Sequence, residues 1–283
     1  MQQRLAVLID ADNAQADLIE ALLDEVIKYG VASVKRIYGD WTQPNLGKWK
    51  KKLVEHAIQP MQQFGYTVGK NATDSALIID AMDLLYTQKF DGFCLVTSDS
   101  DFTRLATRLR ESGLTVYGFG EKKTPRAFIS ACDKFIYVEN LRTGKSEKKA
   151  EKADKKNPAV AAAPAVVEVA AEKTSRRKKK TKSGDGKPAS EPTPAIADEA
   201  AADVSERDLD DLIGAALDAC ADESGWAALG AMGQYIIKQR PDFDTRSYGK
   251  KRLGDLVKTL DGFAVDTRTS ADGKSHSLYV HRK

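Results

Sequence analysis

The first half of the chain alternates short apolar runs with segments that have helical spacing. Helices are predicted at residues 14–29, 46–57, 74–86, 102–111 and 125–131. The strands predicted around them are LAVLI (5–9), SVKRIYG (33–39), YTV (66–68), GFCLVTS (92–98), LTVYGFG (114–120) and FIYV (135–138). Apolar strands that alternate with helices are typical of a parallel sheet covered on both faces. The pattern therefore predicts a three-layer α/β domain over residues 1–142, with ligands at the carboxyl ends of its strands.

Helical spacing returns after residue 205. LDDLIGAALDAC, WAALGAMGQYII and residues 248–260 are predicted as three helices. FAVDTRT and HSLYVHR then flank SADGKS, whose Asp-Gly pair is typical of a hairpin turn. Three helices and a terminal hairpin in so short a segment predict a small winged-helix domain over residues 205–283.

Residues 143–204 differ in composition from both flanking parts. They are rich in Lys, Ala, Pro, Glu and Ser and contain no aromatic residue. Such a stretch cannot bury enough apolar area to offset its ordering entropy, so a disordered linker is predicted. The net charge of +3 is concentrated here, since residues 143–204 carry 14 basic and 10 acidic side chains, whereas residues 1–142 carry 18 of each. The cluster SRRKKKTK is either solvated or a contact for nucleic acid.

The cysteines and the apolar stretches indicate the compartment. The chain contains three cysteines, Cys94, Cys132 and Cys220. They lie in apolar patterns without a CxxC pair, so we expect free thiols in a reducing compartment. The first apolar run is too short for a signal peptide, and the Ala/Val stretch at 158–171 is interrupted by Pro and Glu. These features predict a soluble, cytoplasmic protein without membrane contact.

Acidic side chains recur where predicted strands end or helices begin. LIDADN, TDSALIID and TSDSDF contain this set: Asp10, Asn13, Asp74, Asp80, Asp99 and Asp101. If the strands at 5–9 and 92–98 are sheet neighbours, their carboxyl ends bring several carboxylates together, and like charges at close range raise one another's pKa values. A divalent cation removes that penalty and takes oxygen ligands. The pattern therefore predicts a metal site suited to phosphodiester hydrolysis.

Taken one at a time, several of these acids also have a structural explanation, and it is their recurrence in three segments that favours a metal site. Asp74 and Asp101 are each placed to cap a helix, and Asp10 to form a turn. Asp80 follows Asp74 by six residues, which does not put both on one helical face, so Asp80 joins the site only if Asp74 lies outside the regular helix. Other chemistry is not expected, because the chain has no GxxxxGK[ST] loop and its three histidines have no evident nucleophile to pair with.

Together, IDADN, Lys70 followed by TDSALIIDA, and TSDSDF resemble the NYN domain, the LabA-like branch of the PIN nuclease superfamily. The resemblance covers residues 4–140 and implies a Rossmann-like sheet with a Mg²⁺- or Mn²⁺-dependent ribonuclease centre. The catalytic residues that it implies are Asp10, Asn13, Asp74, Asp99 and Asp101. The implied metal ligands are Asp10, Asp74, Asp80, Asp99 and Asp101.

Basic and aromatic side chains are the candidates for RNA contact. Lys70 either holds a phosphate or offsets nearby acids. In KWKKK, the ring of Trp49 and the charge of Lys50 suit single-stranded RNA, although a solvated helix with Trp49 partly buried explains them too. In the last domain, four bases are expected at a helix start, where backbone amides also favour phosphate: Arg246, Lys250, Lys251 and Arg252.

The last domain resembles the OST-HTH or LOTUS domain across residues 220–283. The matching features are Gly225-Trp226, Leu229, Gly233, Pro241-Asp242-Phe243 and Tyr248-Gly249 before a basic helix. The resemblance implies a winged helix that binds RNA or docks a protein partner. The sequence as a whole predicts a metal-dependent ribonuclease tethered to such a module. The alternatives are a non-catalytic RNA-binding or scaffold protein with a structural ion, and a phosphatase acting on a small phosphoester.

Overall fold

The computed structural model describes residues 2–64, 72–141, 197–269 and 276–283, and the side chains of all of these except 197–207 and 269. The first described part contains a six-stranded sheet in the order β3-β2-β1-β4-β5-β6, and every neighbouring pair is parallel. Its strands are β1 (Arg4–Asp10), β2 (Val31–Gly39), β3 (Gln59–Gln62), β4 (Gly92–Val96), β5 (Thr115–Gly120) and β6 (Lys134–Tyr137).

Helices cover both faces of this sheet. They are α1 (Ile19–Val26), α2 (Trp49–His56), α3 (Ala72–Tyr86), α4 (Thr103–Glu111) and α5 (Arg126–Ala131). Alternate residues of β1 enter different cores: Val7 packs with α1 and α2, whereas Leu8 packs with α3, α4 and α5. Burial on both faces explains why the strands read as continuous apolar runs. The predicted three-layer α/β architecture is confirmed.

The predicted neighbour relation between the first and fourth strands is also confirmed. β1 pairs with β4 from Leu5 opposite Gly92 to Ile9 opposite Val96. The strand order reverses at this point, since the chain builds outward through β2 and β3 on one side and through β5 and β6 on the other. In open α/β sheets such a switch point opens a crevice at the carboxyl ends of the two central strands.

The last described part forms a smaller unit with its own core. Its helices are α6 (Ala197–Cys220), α7 (Leu229–Gln239) and α8 (Leu253–Val257), and its strands are β7 (Ala227–Ala228), β8 (Phe263–Thr269) and β9 (His276–Arg282). The strands pair antiparallel in the order β7-β9-β8. Ile213, Ile236 and Val280 are fully buried at the centre of this unit. Helices followed by a two-stranded wing agree with the predicted winged helix.

Several elements differ from the prediction. The helix predicted over 248–260 is a 3-10 turn at Thr245–Tyr248 and a separate α8, because Gly249 adopts a left-handed φ of 69° between them. The strand predicted at 66–68 lies outside the described residues, and β3, which was not predicted, forms one edge of the sheet. Helix α6 begins at Ala197, upstream of the predicted domain start, while residues 143–196 of the predicted linker lie outside the described residues.

None of the helices in the described parts of the chain is both long and apolar enough to cross a membrane.

Candidate metal centre

Asp10 ends β1 as a buried carboxylate at the switch point, with only 1% of its surface exposed. Asn13 Nδ2 and Thr97 Oγ1 donate to its Oδ2 at 2.6 and 3.0 Å, and the Asp12 amide donates to Oδ1 at 3.0 Å. Burial raises the pKa of Asp10, although these three hydrogen bonds act against the rise. Asp10 is therefore fixed in orientation by its own turn and by the end of β4.

Asp99 and Asp101 lie in the loop that follows β4. Thr97 Oγ1 accepts from the Asp99 amide at 3.1 Å, which joins this loop to Asp10 through the same hydroxyl. Asp99 Oδ1 accepts from the Asp101 amide at 2.9 Å and so caps the 3-10 turn at Ser100–Phe102. The sequence makes Asp101 a candidate for the cap, whereas the structure gives that hydrogen bond to Asp99. Asp101 is exposed at the mouth of the crevice.

Asp74 completes the cluster from the first turn of α3. One carboxylate oxygen from each of Asp74, Asp99 and Asp101 lies within 4.8 Å of the other two. Asp74 and Asp99 are partly buried, and Asp101 is exposed. Burial and the negative charges of Asp10, Asp99, Asp101 and Asp12 raise the pKa of Asp74 to about 6. The three oxygens are hard donors of the kind that Mg²⁺ and Mn²⁺ take, so the donor set fits a divalent cation.

Asp80 does not join this cluster. Its two carboxylate oxygens accept from the Arg36 guanidinium and the Tyr38 hydroxyl on β2. Tyr38 is fully buried beneath α3. The predicted role of Asp80 as a metal ligand is therefore not supported by its position, because both oxygens are already used to fasten α3 to the sheet.

The predicted RNA contacts in the first domain have different surroundings. Trp49 is 3% exposed and packs in the core under α2, so its ring is not available for stacking on a base. The sequence alternative of a buried Trp49 is the one observed. Lys50, the next residue, is exposed. Lys70 lies outside the described residues.

The four basic residues of the last domain that were predicted to bind RNA do not share one environment. Arg246 lies in the 3-10 turn rather than in a helix, and its guanidinium is held by Asp244 and by Glu25 of α1. Lys251 and Arg252 are exposed, and Lys250 is partly exposed. The predicted RNA contact of Arg246 is not supported by its position, because two carboxylates pair with its guanidinium. The other three side chains reach solvent, where a phosphate backbone could contact them.

Sequence reasoning missed two groups of residues. Thr97 links Asp10 to Asp99, but a threonine at a strand end carries no signal that separates it from ordinary strand residues. In the last domain, the guanidinium of Arg268 lies 4.6 Å from the ring centroids of both Trp226 and Tyr279. This sandwich brings together residues from three places in the chain, and only the pairing of β8 with β9 makes it visible.

Family models match the first and the last domain of the chain. The NYN domain model matches residues 4–139, and the OST-HTH/LOTUS domain model matches residues 205–274. The two matches occur in the order that the motifs predicted. NYN domains belong to the PIN-like nuclease superfamily, and the six-stranded parallel sheet is consistent with that fold.

Three of the solved structures similar to the chain are the following. A protein of unknown function from Vibrio parahaemolyticus is 17% identical, with 50% of this chain and 95% of that chain covered and a TM-score of 0.43. An uncharacterized protein from Nitrosomonas europaea is 33% identical, with 37% and 92% covered and a TM-score of 0.24. A fragment of a Chromobacterium violaceum protein is 35% identical, with 26% and 78% covered and a TM-score of 0.23. No curated protein matches the chain.

Proposed function

We propose that this chain, which carries an NYN domain followed by an OST-HTH/LOTUS domain, is a metal-dependent ribonuclease that hydrolyses RNA phosphodiester bonds. NYN domains indicate a PIN-like nuclease, and OST-HTH domains are associated with RNA binding. The observation that carries the proposal is the convergence of Asp74, Asp99 and Asp101 beside the buried Asp10 at the switch point of the sheet.

Crowded carboxylates without a cation would destabilise the fold, since each one raises the cost of ionising its neighbours. Asp74, Asp99 and Asp101 would hold Mg²⁺ or Mn²⁺. A bound ion of this kind supplies a Lewis acid that activates water and stabilises charge on a phosphate. Asp10, held by Asn13 and Thr97, keeps the first-strand turn in place next to the cluster and adds negative charge to it.

RNA would reach this site along basic side chains on both domains. Lys50 of the first domain and Lys250, Lys251 and Arg252 of the last remain the candidates for backbone contact, and Lys70 stays a prediction. Neutralising phosphates releases counterions, so binding through these residues should weaken steeply as salt increases. The described cysteines are free, and on that ground we propose a reducing, cytoplasmic location.

The test is a cleavage panel that crosses metals with substrates. Single-stranded RNA should be cut with Mn²⁺ or Mg²⁺ and left intact in EDTA. Asp99→Asn should lower the rate by on the order of 100-fold, because it removes one anionic ligand from the cluster. Asp83→Asn is the matched control, since Asp83 is exposed on the same helix as Asp74 and about 14 Å further along it.

The other readings give different results in the same panel. RNA that is retained but never cut, with any metal, would identify a binding or scaffold protein instead of a nuclease. Hydrolysis of a chromogenic phosphoester without RNA cleavage would identify a phosphatase. Calorimetric titration of Mn²⁺ into wild type and Asp99→Asn supplies a readout that does not depend on activity. Equal affinities for Mn²⁺ in the two proteins would show that the proposed metal site is wrong.

A further inference from the structure

The short segment between α7 and α8 contacts the open edge of the nuclease sheet. We define residues 240–248 as the docking segment. β6 pairs with β5 on one side only, which leaves the other side of this edge strand without a strand partner among the described residues. The Phe135 amide of β6 donates to the Pro241 carbonyl at 2.8 Å. The segment therefore occupies a backbone donor that an uncovered edge would leave exposed to water.

An ion pair with a buried carboxylate lies at one end of this contact. Arg246 Nη1 and Nη2 reach the two carboxylate oxygens of Glu25 at 3.0 and 3.3 Å. The Glu25 side chain is only 6% exposed, and Lys28 and Tyr29 also donate to it. Burial acts against ionisation of Glu25, but the hydrogen bonds from Lys28 and Arg246 outweigh it and lower its pKa. Planar, two-point pairing of this kind fixes orientation as well as distance.

Asp244 holds Arg246 in place from within the docking segment. Its carboxylate accepts from Arg246 Nε at 2.9 Å and from Nη2 at 2.6 Å. The guanidinium is thus oriented by its own domain before it meets Glu25. A side chain positioned in this way loses little entropy on docking, which favours a specific contact over a loose one.

A second set of contacts anchors the other end. Asp242 is 9% exposed, and its Oδ2 accepts from Tyr137 Oη and pairs with Arg126 Nη1, both at 2.9 Å. Asn140 Nδ2 donates to Ser247 Oγ at 2.9 Å. The partners of the docking segment come from α1, α5, β6 and the residues after β6. Complementary charge, a strand-edge hydrogen bond and buried carboxylates together have the character of a specific interface.

We propose that residues 240–248 dock the OST-HTH domain onto the NYN domain of the same chain, with Arg246 on Glu25 as the principal contact. The interface lies along β6, at one edge of the sheet whose centre carries the acids. It also forms a cleft of about 300 Å³, whose lining includes Lys122, Tyr137, Arg240 and Tyr248. The docked domain thereby places its basic surface at a fixed position relative to the acidic cluster.

Amide hydrogen exchange of the full chain tests docking without RNA or metal, so its result is independent of the nuclease proposal. In wild type the Phe135 amide should be protected by Pro241. Arg246→Glu should speed its exchange by at least about tenfold, because the new carboxylate faces Glu25. Amides within β1 and α7 should keep their wild-type rates, which shows that both domains remain folded. Lys258→Glu makes the same change of charge on an exposed residue and should leave Phe135 protected.

Two milder variants address the possibility that Arg246→Glu fails to fold. Arg246→Lys keeps the charge but loses the two-point fork, and Asp242→Asn keeps the shape but loses the charge that faces Arg126. Each should speed Phe135 exchange less than Arg246→Glu does. Wild-type exchange rates in both would overturn the proposal. Protection that rises with protein concentration would also overturn it, since the partner would then be a second copy of the chain.

Discussion

At the scale of single residues, the carboxylates of the acidic cluster repel one another in the metal-free protein. The pKa of Asp74 is about 6 in the folded chain, against an ordinary value of 3.8. Between these values the folded state binds more protons than the unfolded state, so this group favours folding at low pH and that contribution is lost as pH rises through 6. This pH dependence of stability has the opposite sign to that of a carboxylate held by a salt bridge, whose contribution is lost as pH falls.

Asp74→Asn should therefore stabilise the metal-free protein at pH 7.5. Part of the shift is screened because Asp74 is only partly buried, so we expect a gain of about 1 kcal/mol in unfolding free energy. Near pH 4 the gain should shrink, since wild-type Asp74 is then mostly protonated. Urea unfolding in EDTA at both pH values measures the difference, and Asp83→Asn serves as control. A loss of stability at pH 7.5 would show that burial and the neighbouring negative charges do not disfavour the ionised form of Asp74.

Replacing Asp80 should lower the stability of the protein, whereas replacing Asp74 should raise it. Asp80→Ala removes the acceptor for Arg36 and Tyr38, so it should cost about 1–3 kcal/mol of unfolding free energy. The affinity for Mn²⁺ should stay within about twofold of wild type, because Asp80 stands apart from the cluster. Denaturation and calorimetric titration give the two quantities. A large fall in affinity with little loss of stability would restore Asp80 as a ligand.

The contrast between Asp74 and Asp80 shows how far single residues can be predicted. Acids at strand ends can be located from the sequence, because the carboxyl ends of parallel strands meet at one edge. Asp80 lies inside a helix, and nothing local identifies Arg36 and Tyr38 on β2 as its partners. For Trp49 the sequence KWKKK leaves base stacking and partial burial both open, because its packing against the sheet depends on the position of the whole helix.

At the scale of elements, glycine decides where helices end. Gly249 has φ of 69° after the 3-10 turn, whereas Gly230 lies in the helix α7. Both glycines have open space where a Cβ atom would be placed. The two sites therefore differ in backbone conformation and not in the room for a side chain. Gly249→Ala should destabilise the last domain by about 1 kcal/mol through backbone strain. Gly230→Ala should stabilise it by about 0.5–1 kcal/mol. Thermal unfolding of both variants measures the two changes in stability. Changes in the same direction would contradict the backbone conformations assigned to the two glycines.

The same feature explains why element bounds are harder to predict than element types. Residues 248–260 have helical spacing throughout, and the sequence does not reveal that Gly249 adopts a left-handed conformation. At the sheet edge, β3 has the sequence QPMQ, whose proline disfavours a strand by propensity. Pairing with β2 overrides that preference, and proline is tolerated because the strand is at an edge.

At the scale of the whole molecule, the order of the two domains follows from the sequence, whereas their contact does not. Glu25 and Arg246 are separated by 221 positions. In the sequence, each looks like an ordinary charged residue of its own domain. The basic residues near Arg246 suggest an RNA contact and not a contact between domains. Long-range pairing of this kind depends on the shape of both surfaces, which hydrophobic periodicity does not encode.

Docking also makes a prediction about substrate length. If the domains act as one unit, an RNA long enough to reach both is held by the OST-HTH domain at a high effective concentration near the acids. Arg246→Glu should then lower kcat/KM for a long single-stranded RNA by on the order of tenfold. A short oligonucleotide that reaches only the acidic cluster should be cleaved at the wild-type rate by the same variant.

The design separates docking from catalysis, because the short substrate reports the state of the acidic cluster in every variant. Lys258→Glu controls for the added negative charge on the same domain. An equal loss on both substrates would mean that Arg246→Glu perturbs the NYN domain itself through Glu25. No loss on either would mean that the two domains handle RNA independently, even where the Phe135 amide reports that they are docked.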